Sequence, residues 1–165
     1  MSNLKIDPKK LKLNIDVYKN TWVNTYFTNC YAYSLGLDLI EDDICYNAYY
    51  VGMIGKKYYN IDDETFLSMS IEYRLYTDLE AMGITYNEIG SKDKIDDHSW
   101  NIALFLTQEN HFHFLRKTNN FEWTHKMGWY ENPKNTDDDN QIIHDAESCN
   151  LTEYQYIKSL NLRFK

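Results

Sequence analysis

His111-Phe112-His113-Phe114-Leu115-Arg116 and Phe121-Glu122-Trp123-Thr124-His125-Lys126 both alternate polar with apolar side chains. Lys117-Thr118-Asn119-Asn120 separates them. A period of two is the signature of a strand with one buried face, and Asn tolerates the positive φ of a tight turn. The stretch therefore predicts a hairpin. A three-residue turn at Thr118-Asn119-Asn120 would set His113 opposite His125 on one face. A two-residue Asn119-Asn120 turn would shift the register and separate them. His111 shares the face of His113 if the strand is regular.

Outward from the hairpin, Ser99-Trp100-Asn101-Ile102-Ala103-Leu104-Phe105-Leu106 is an apolar run of strand length, and Ile84 to Ile89 reads as a further strand. Upstream, Asp62 and Asp63 cap a predicted helix of about five turns ending at Gly83. Its residues Leu67, Ile71, Leu75, Leu79 and Met82 fall mostly at i, i+4. Asn29 is a good N-cap for a short helix through Cys30-Tyr31-Ala32-Tyr33-Ser34-Leu35-Gly36-Leu37. Downstream, a looser segment from Gly128 to Asn140 leads into Gln141-Ile142-Ile143-His144, and Leu151 to Leu160 is expected to be helical. Helices first and an antiparallel sheet second is an α+β arrangement. No repeat and no Gly- or Pro-rich linker divides the 165 residues, so residues 1–165 read as a single domain.

Composition narrows the partners. The formal net charge is −8, against non-specific binding of nucleic acid. The clusters Asp42-Asp43, Asp62-Asp63, Asp96-Asp97 and Asp137-Asp138-Asp139 fit solvated loops and helix caps. No apolar run is long enough for a membrane span, and Met1 to Lys10 has basic residues without the apolar stretch of a signal peptide. Cys30, Cys45 and Cys149 cannot all pair, and reduced thiols point to a cytoplasmic setting. Fifteen tyrosines predict many buried rings whose hydroxyls need partners.

Cys30 falls in the first turn of its helix, where unpaired N–H groups and the macrodipole favour a thiolate. This predicts a thiol pKa well below the usual value of about 8.5. A nucleophilic Cys on an early helix, then a His on a strand, then a polar orienting group, is the papain-type order. Thr28-Asn29-Cys30-Tyr31-Ala32-Tyr33-Ser34-Leu35, His113-Phe114-Leu115-Arg116 and Trp123-Thr124-His125-Lys126 together resemble small bacterial and phage-type papain-like proteins, distant relatives of the NlpC/P60 hydrolases. Those carry N-C-Y-x-Y-x-L, a later H-F/W-Y-R strand, W-S-H-K and an I-x-D-P ending. The last appears as Ile143-His144-Asp145-Ala146, without its Pro.

The resemblance implies a papain-like (NlpC/P60-like) fold and a cysteine hydrolase, peptidase or amidase, acting on a peptide or amide substrate. It names no substrate. The papain order makes His113 the base, with His125 second. Asp145 is the expected orienting acceptor, with His125 or Asn140 as substitutes. The backbone N–H of Cys30 and the side chain of Asn24, six residues before it, would form the oxyanion hole. The substrate groove is expected from Tyr46–Tyr59 and Gly128–Asn140.

Two other readings compete. His111, His113, His125 and Cys30 could ligate zinc, without C-x-x-C or H-E-x-x-H spacing in support. Alternatively the chain is an inactive papain-like binding module, such as a phage or viral product that blocks a host factor, using Trp22, Trp100, Trp123 and Trp129 as surface aromatics. No phosphate or dinucleotide loop is present, so no cofactor is expected.

Overall fold

The computed structural model describes residues 29–37, 50–128 and 131–165. Helix α1 spans Cys30–Leu35 and starts as its sequence predicts: Asn29 is extended, and its Oδ1 accepts the Ala32 N–H at 2.9 Å. Gly36 ends it at φ 71°, returning its N–H to the carbonyls of Ala32 and Tyr33. Helix α2 spans Met53–Tyr58.

The long helix expected from Asp62 to Met82 is two helices, α3 (Asp63–Ser68) and α4 (Ile71–Ala81). Met69 turns extended at ψ 138°, and Ser70 Oγ accepts the Tyr73 N–H at 3.1 Å. Ser competes for backbone donors better as a cap than it serves inside a helix, so the periodic pattern breaks there. Gly83 provides the expected stop at φ 71°.

The second half is a four-stranded antiparallel sheet in the order β1-β4-β2-β3, built from β1 (Ile84–Ile89), β2 (Trp100–Leu106), β3 (Phe112–Lys117) and β4 (Gln155–Phe164). Strand β4 corrects the expected helix at Leu151 to Leu160. Its Leu160, Leu162 and Phe164 alternate onto one face, and it sits between β1 and β2, where both of its edges are paired. Tertiary pairing overrides a local pattern that also fits a helix.

Each sheet face has its own core. Ile102, Leu104, Phe114, Leu160 and Leu162 pack with α1, α2 and α4. Ala103, Phe105, Leu115 and Trp123 pack on the opposite face with Ile143, Ala146 and Leu151. Trp100 and Trp123 are both fully buried, donating to the carbonyls of Ser34 and Ser91, so neither is a surface aromatic. Trp22 and Trp129 lie outside the described residues. Among the described residues, no helix is long and apolar enough to cross a membrane.

The hairpin forms in neither anticipated register. Asn119 Oδ1 accepts the N–H groups of Phe121 and Glu122 at 2.8 and 3.1 Å, which widens the loop. Arg116 then pairs with Thr124, through N–O distances of 2.8 and 2.7 Å. That register makes His113 and His125 diagonal neighbours on the same face, still within reach of two rings. After Thr124 the chain pairs elsewhere, His125 N–H donating to the Lys134 carbonyl at 2.9 Å.

Candidate active site

Helix α1 is pinned along the outer edge of β3. Arg116 Nη1 donates to the Tyr33 carbonyl at 2.9 Å, its guanidinium lies 4.0 Å from the Tyr33 ring centre, and Tyr33 Oη meets Thr124 Oγ1 at 2.6 Å. This sets Cys30 against β3. The backbone of Phe114, Tyr31 and Cys30 itself lowers the thiol, the contribution from Phe114 being the largest of the three. Phe114 follows His113 in the strand, and the Tyr31 ring packs on Phe112 and Phe114, the residues on either side of His113.

His113 and His125 meet directly, Nε2 to Nδ1, at 2.8 Å. His125 Nε2 lies 2.7 Å from the Thr136 carbonyl oxygen. A carbonyl only accepts, so His125 carries its proton on Nε2 and leaves Nδ1 as an acceptor. His113 must then donate from Nε2, which leaves its Nδ1 as the one basic nitrogen of the pair. Three atoms thus fix both tautomers. The acidic run builds the anchor: Asp137 Oδ1 accepts the N–H groups of Asp139 and Gln141, closing the loop in which Thr136 bridges to Ile142. We expect nitrogen-resolved NMR of the histidines to show neutral Nε2–H rings at both positions near neutral pH; an Nδ1–H tautomer at His113 would contradict the relay.

Burial dominates the electrostatics. Cys30 is 8% exposed, and burial pushes its thiol up to about 11 despite the neighbouring backbone and the charge of Lys126. The expected depressed thiol is therefore corrected: six residues of helix do not offset desolvation. Burial, and then the neighbouring His125, hold His113 well below the ordinary imidazole value, while burial lowers His125. These directions favour a neutral thiol and neutral imidazoles over an ion pair. Lys126 is fully buried, its Nζ donates to the Gly128 carbonyl at 2.8 Å, and burial lowers it to about 8.

The other anticipated residues fall elsewhere. Asp145 accepts from the Glu147 N–H at 3.0 Å and the Ser148 hydroxyl at 3.1 Å, and the partner on His113 Nε2 is His125. Asn140 occupies a surface turn at φ 58°. Asn24 and Cys45 lie outside the described residues. The histidines bond each other rather than converging on an ion, His111 is exposed, and no metal-holding group of three acidic, His or Cys side chains occurs among the described residues. Sequence reasoning missed Thr136 and Tyr154. The Tyr154 ring sits 5.6 Å from that of His113 and forms one wall of a recess of about 750 Å³ between the β2–β3 turn and residues 150–155. The described parts of the anticipated groove segments do not line this recess.

No known protein family, curated protein or solved structure matches the chain.

Proposed function

We propose that the chain is a cysteine hydrolase of the peptidase or amidase type with a papain-like (NlpC/P60-like) arrangement, working in a reducing, cytoplasm-like compartment. Cys30 is the nucleophile, His113 the base and His125 the orienting group. The observation that carries this is the 2.8 Å bond between His113 and His125, anchored on Thr136 beside a strand that packs against Cys30.

The chemistry follows from the neutral resting state. As the Cys30 sulfur attacks the substrate carbonyl carbon, its proton passes to His113 Nδ1. The imidazolium forming there keeps its Nε2–H on His125, which spreads the charge toward the Thr136 carbonyl. The imidazolium next protonates the leaving amine, the C–N bond breaks, and a thioester remains on Cys30. Water, deprotonated by the same nitrogen, then releases the acid and returns the thiol. The neighbouring backbone of Phe114, Tyr31 and Cys30 favours negative charge on the sulfur, and the burial of Cys30 and His113 strengthens each of these interactions.

A panel of fluorogenic peptide amides and thioesters tests the reading. Turnover by the wild type and its loss in Cys30→Ser is the expected result. Because the base works only when neutral and its pKa lies below the ordinary 6.5, activity should persist into the mildly acidic range. An acid limb centred on 6.5 or above would contradict His113 as the base. Turnover unchanged in Cys30→Ser would overturn the proposal.

A further inference from the structure

The recess beside His113 has a composition that the hydrolase reading alone does not explain. Glu109 and Glu153 line it, and among the described residues neither Lys nor Arg does. Two more acids stand immediately behind its wall. Asp138 Oδ2 accepts the Thr152 N–H at 2.7 Å, and Asp139 Oδ2 accepts from Asn150 Nδ2 at 3.0 Å; Thr152 and Asn150 are themselves lining residues. His111 and Tyr154 are the other titratable residues among those that line it. Lys134 is near enough to Asp138 to lower it.

The walls are preset. The β2–β3 turn is closed by the Thr107 N–H on the His111 carbonyl at 2.9 Å and the Asn110 N–H on the Thr107 carbonyl at 3.0 Å. The facing segment is held by the Asn150 N–H on Asp137 Oδ2 at 3.0 Å as well as by Asp138. A ligand entering such a recess orders little of the protein, so its charge complementarity is expressed in affinity. Its volume of about 750 Å³ falls within the usual range for small-ligand sites and suits a long side chain with its flanking backbone. Tyr154 offers an aromatic face for an aliphatic stem and a cationic head, and it also touches the base.

We infer that this recess is a subsite for a cationic side chain, Lys or Arg, of a peptide substrate, placed by Tyr154 next to the His113 base. The assignment rests on the hydrolase reading for its role in turnover, though not for binding.

Binding is measured on the full chain carrying Cys30→Ser, by fluorescence anisotropy with labelled peptide pools that differ only in one fixed residue: Lys, Arg, norleucine or Glu. Lys and Arg pools should bind at least about tenfold more tightly than norleucine, the worth of one charge-assisted hydrogen bond. The gap should shrink in salt, because the acids are exposed, and should collapse in Glu109→Gln/Glu153→Gln. Both positions are on the surface, so the neutral variants keep the fold. Equal affinity for Lys and norleucine, no binding by any pool, or a gap that survives the double substitution overturns the subsite. The wild type separates the two ideas. Cleavage of the pools without cation preference keeps the hydrolase and removes the subsite. Cation-selective binding with no Cys30-dependent cleavage keeps the recess as a cation site and removes the hydrolase.

Discussion

His113→Ala is expected to lower turnover by roughly 10³-fold, with the protein still folded. The side chain supplies the one basic nitrogen of the pair, and no other described imidazole is positioned to replace it. His125 cannot, because its Nε2–H is committed to Thr136 and its Nδ1 would face the space left by His113. Stability should fall by about 1–3 kcal/mol, since His125 Nδ1 loses its donor in a buried setting. His125→Ala should cost less activity, because it removes orientation and leaves the base in place. Steady-state kinetics with denaturant titrations on both variants separates chemistry from folding. The opposite ranking would move the base to His125.

The second large effect lies under the helix that carries Cys30. Asp78, fully buried on α4, accepts three hydrogen bonds at 2.6 Å: from Tyr31 Oη, the Gly52 N–H and the Gly55 N–H. It thereby ties α1, through the residue next to Cys30, to α2. Gly55 allows the approach, since a Cβ there would meet the Thr77 backbone of α4 at 2.7 Å. Asp78→Ala leaves three buried donors without an acceptor and should destabilise the protein by about 3–5 kcal/mol. The pH dependence has a definite sign. Burial raises the Asp78 carboxyl from 3.8 to about 7, outweighing its donors. A raised folded-state value means that its proton-linked stability is fully present below about pH 4 and is lost as pH rises through about 7. Denaturant midpoints at pH 5 and pH 8 should therefore differ more in the wild type than in Asp78→Asn. Equal differences would show that Asp78 titrates as an ordinary carboxyl.

Much of this architecture is legible in local chemistry. Asn29 before Cys30 reads as a cap because its side chain competes for the very N–H it accepts. Strands β1, β2 and β3 read from alternation and length, whereas the turn leaves open whether His113 and His125 share a face. What fails is decided at a distance. The hairpin register turned on the Asn119 side chain, and β4 on pairing with two other strands. Thr136 acts through its carbonyl, so no side-chain pattern could reveal it. Asp78 looks like any acid on a helix until Gly52 and Gly55 are brought over it. The thiol pKa was misjudged because a helix terminus is visible in sequence and desolvation is not.

The relay is tested most directly by thiol labelling at neutral pH, read by peptide mass spectrometry in the wild type and in His113→Ala. Cys149 is the internal control: its sulfur donates to the Ala146 carbonyl, and burial raises its thiol to about 12. With His113 Nδ1 accepting the proton as sulfur attacks, Cys30 should react with iodoacetamide faster than Cys149, although it is the more buried. In His113→Ala that advantage should vanish while Cys149 is unchanged. Labelling of Cys30 that is no faster than that of Cys149, or that is indifferent to His113→Ala, would contradict a nucleophile and base acting together.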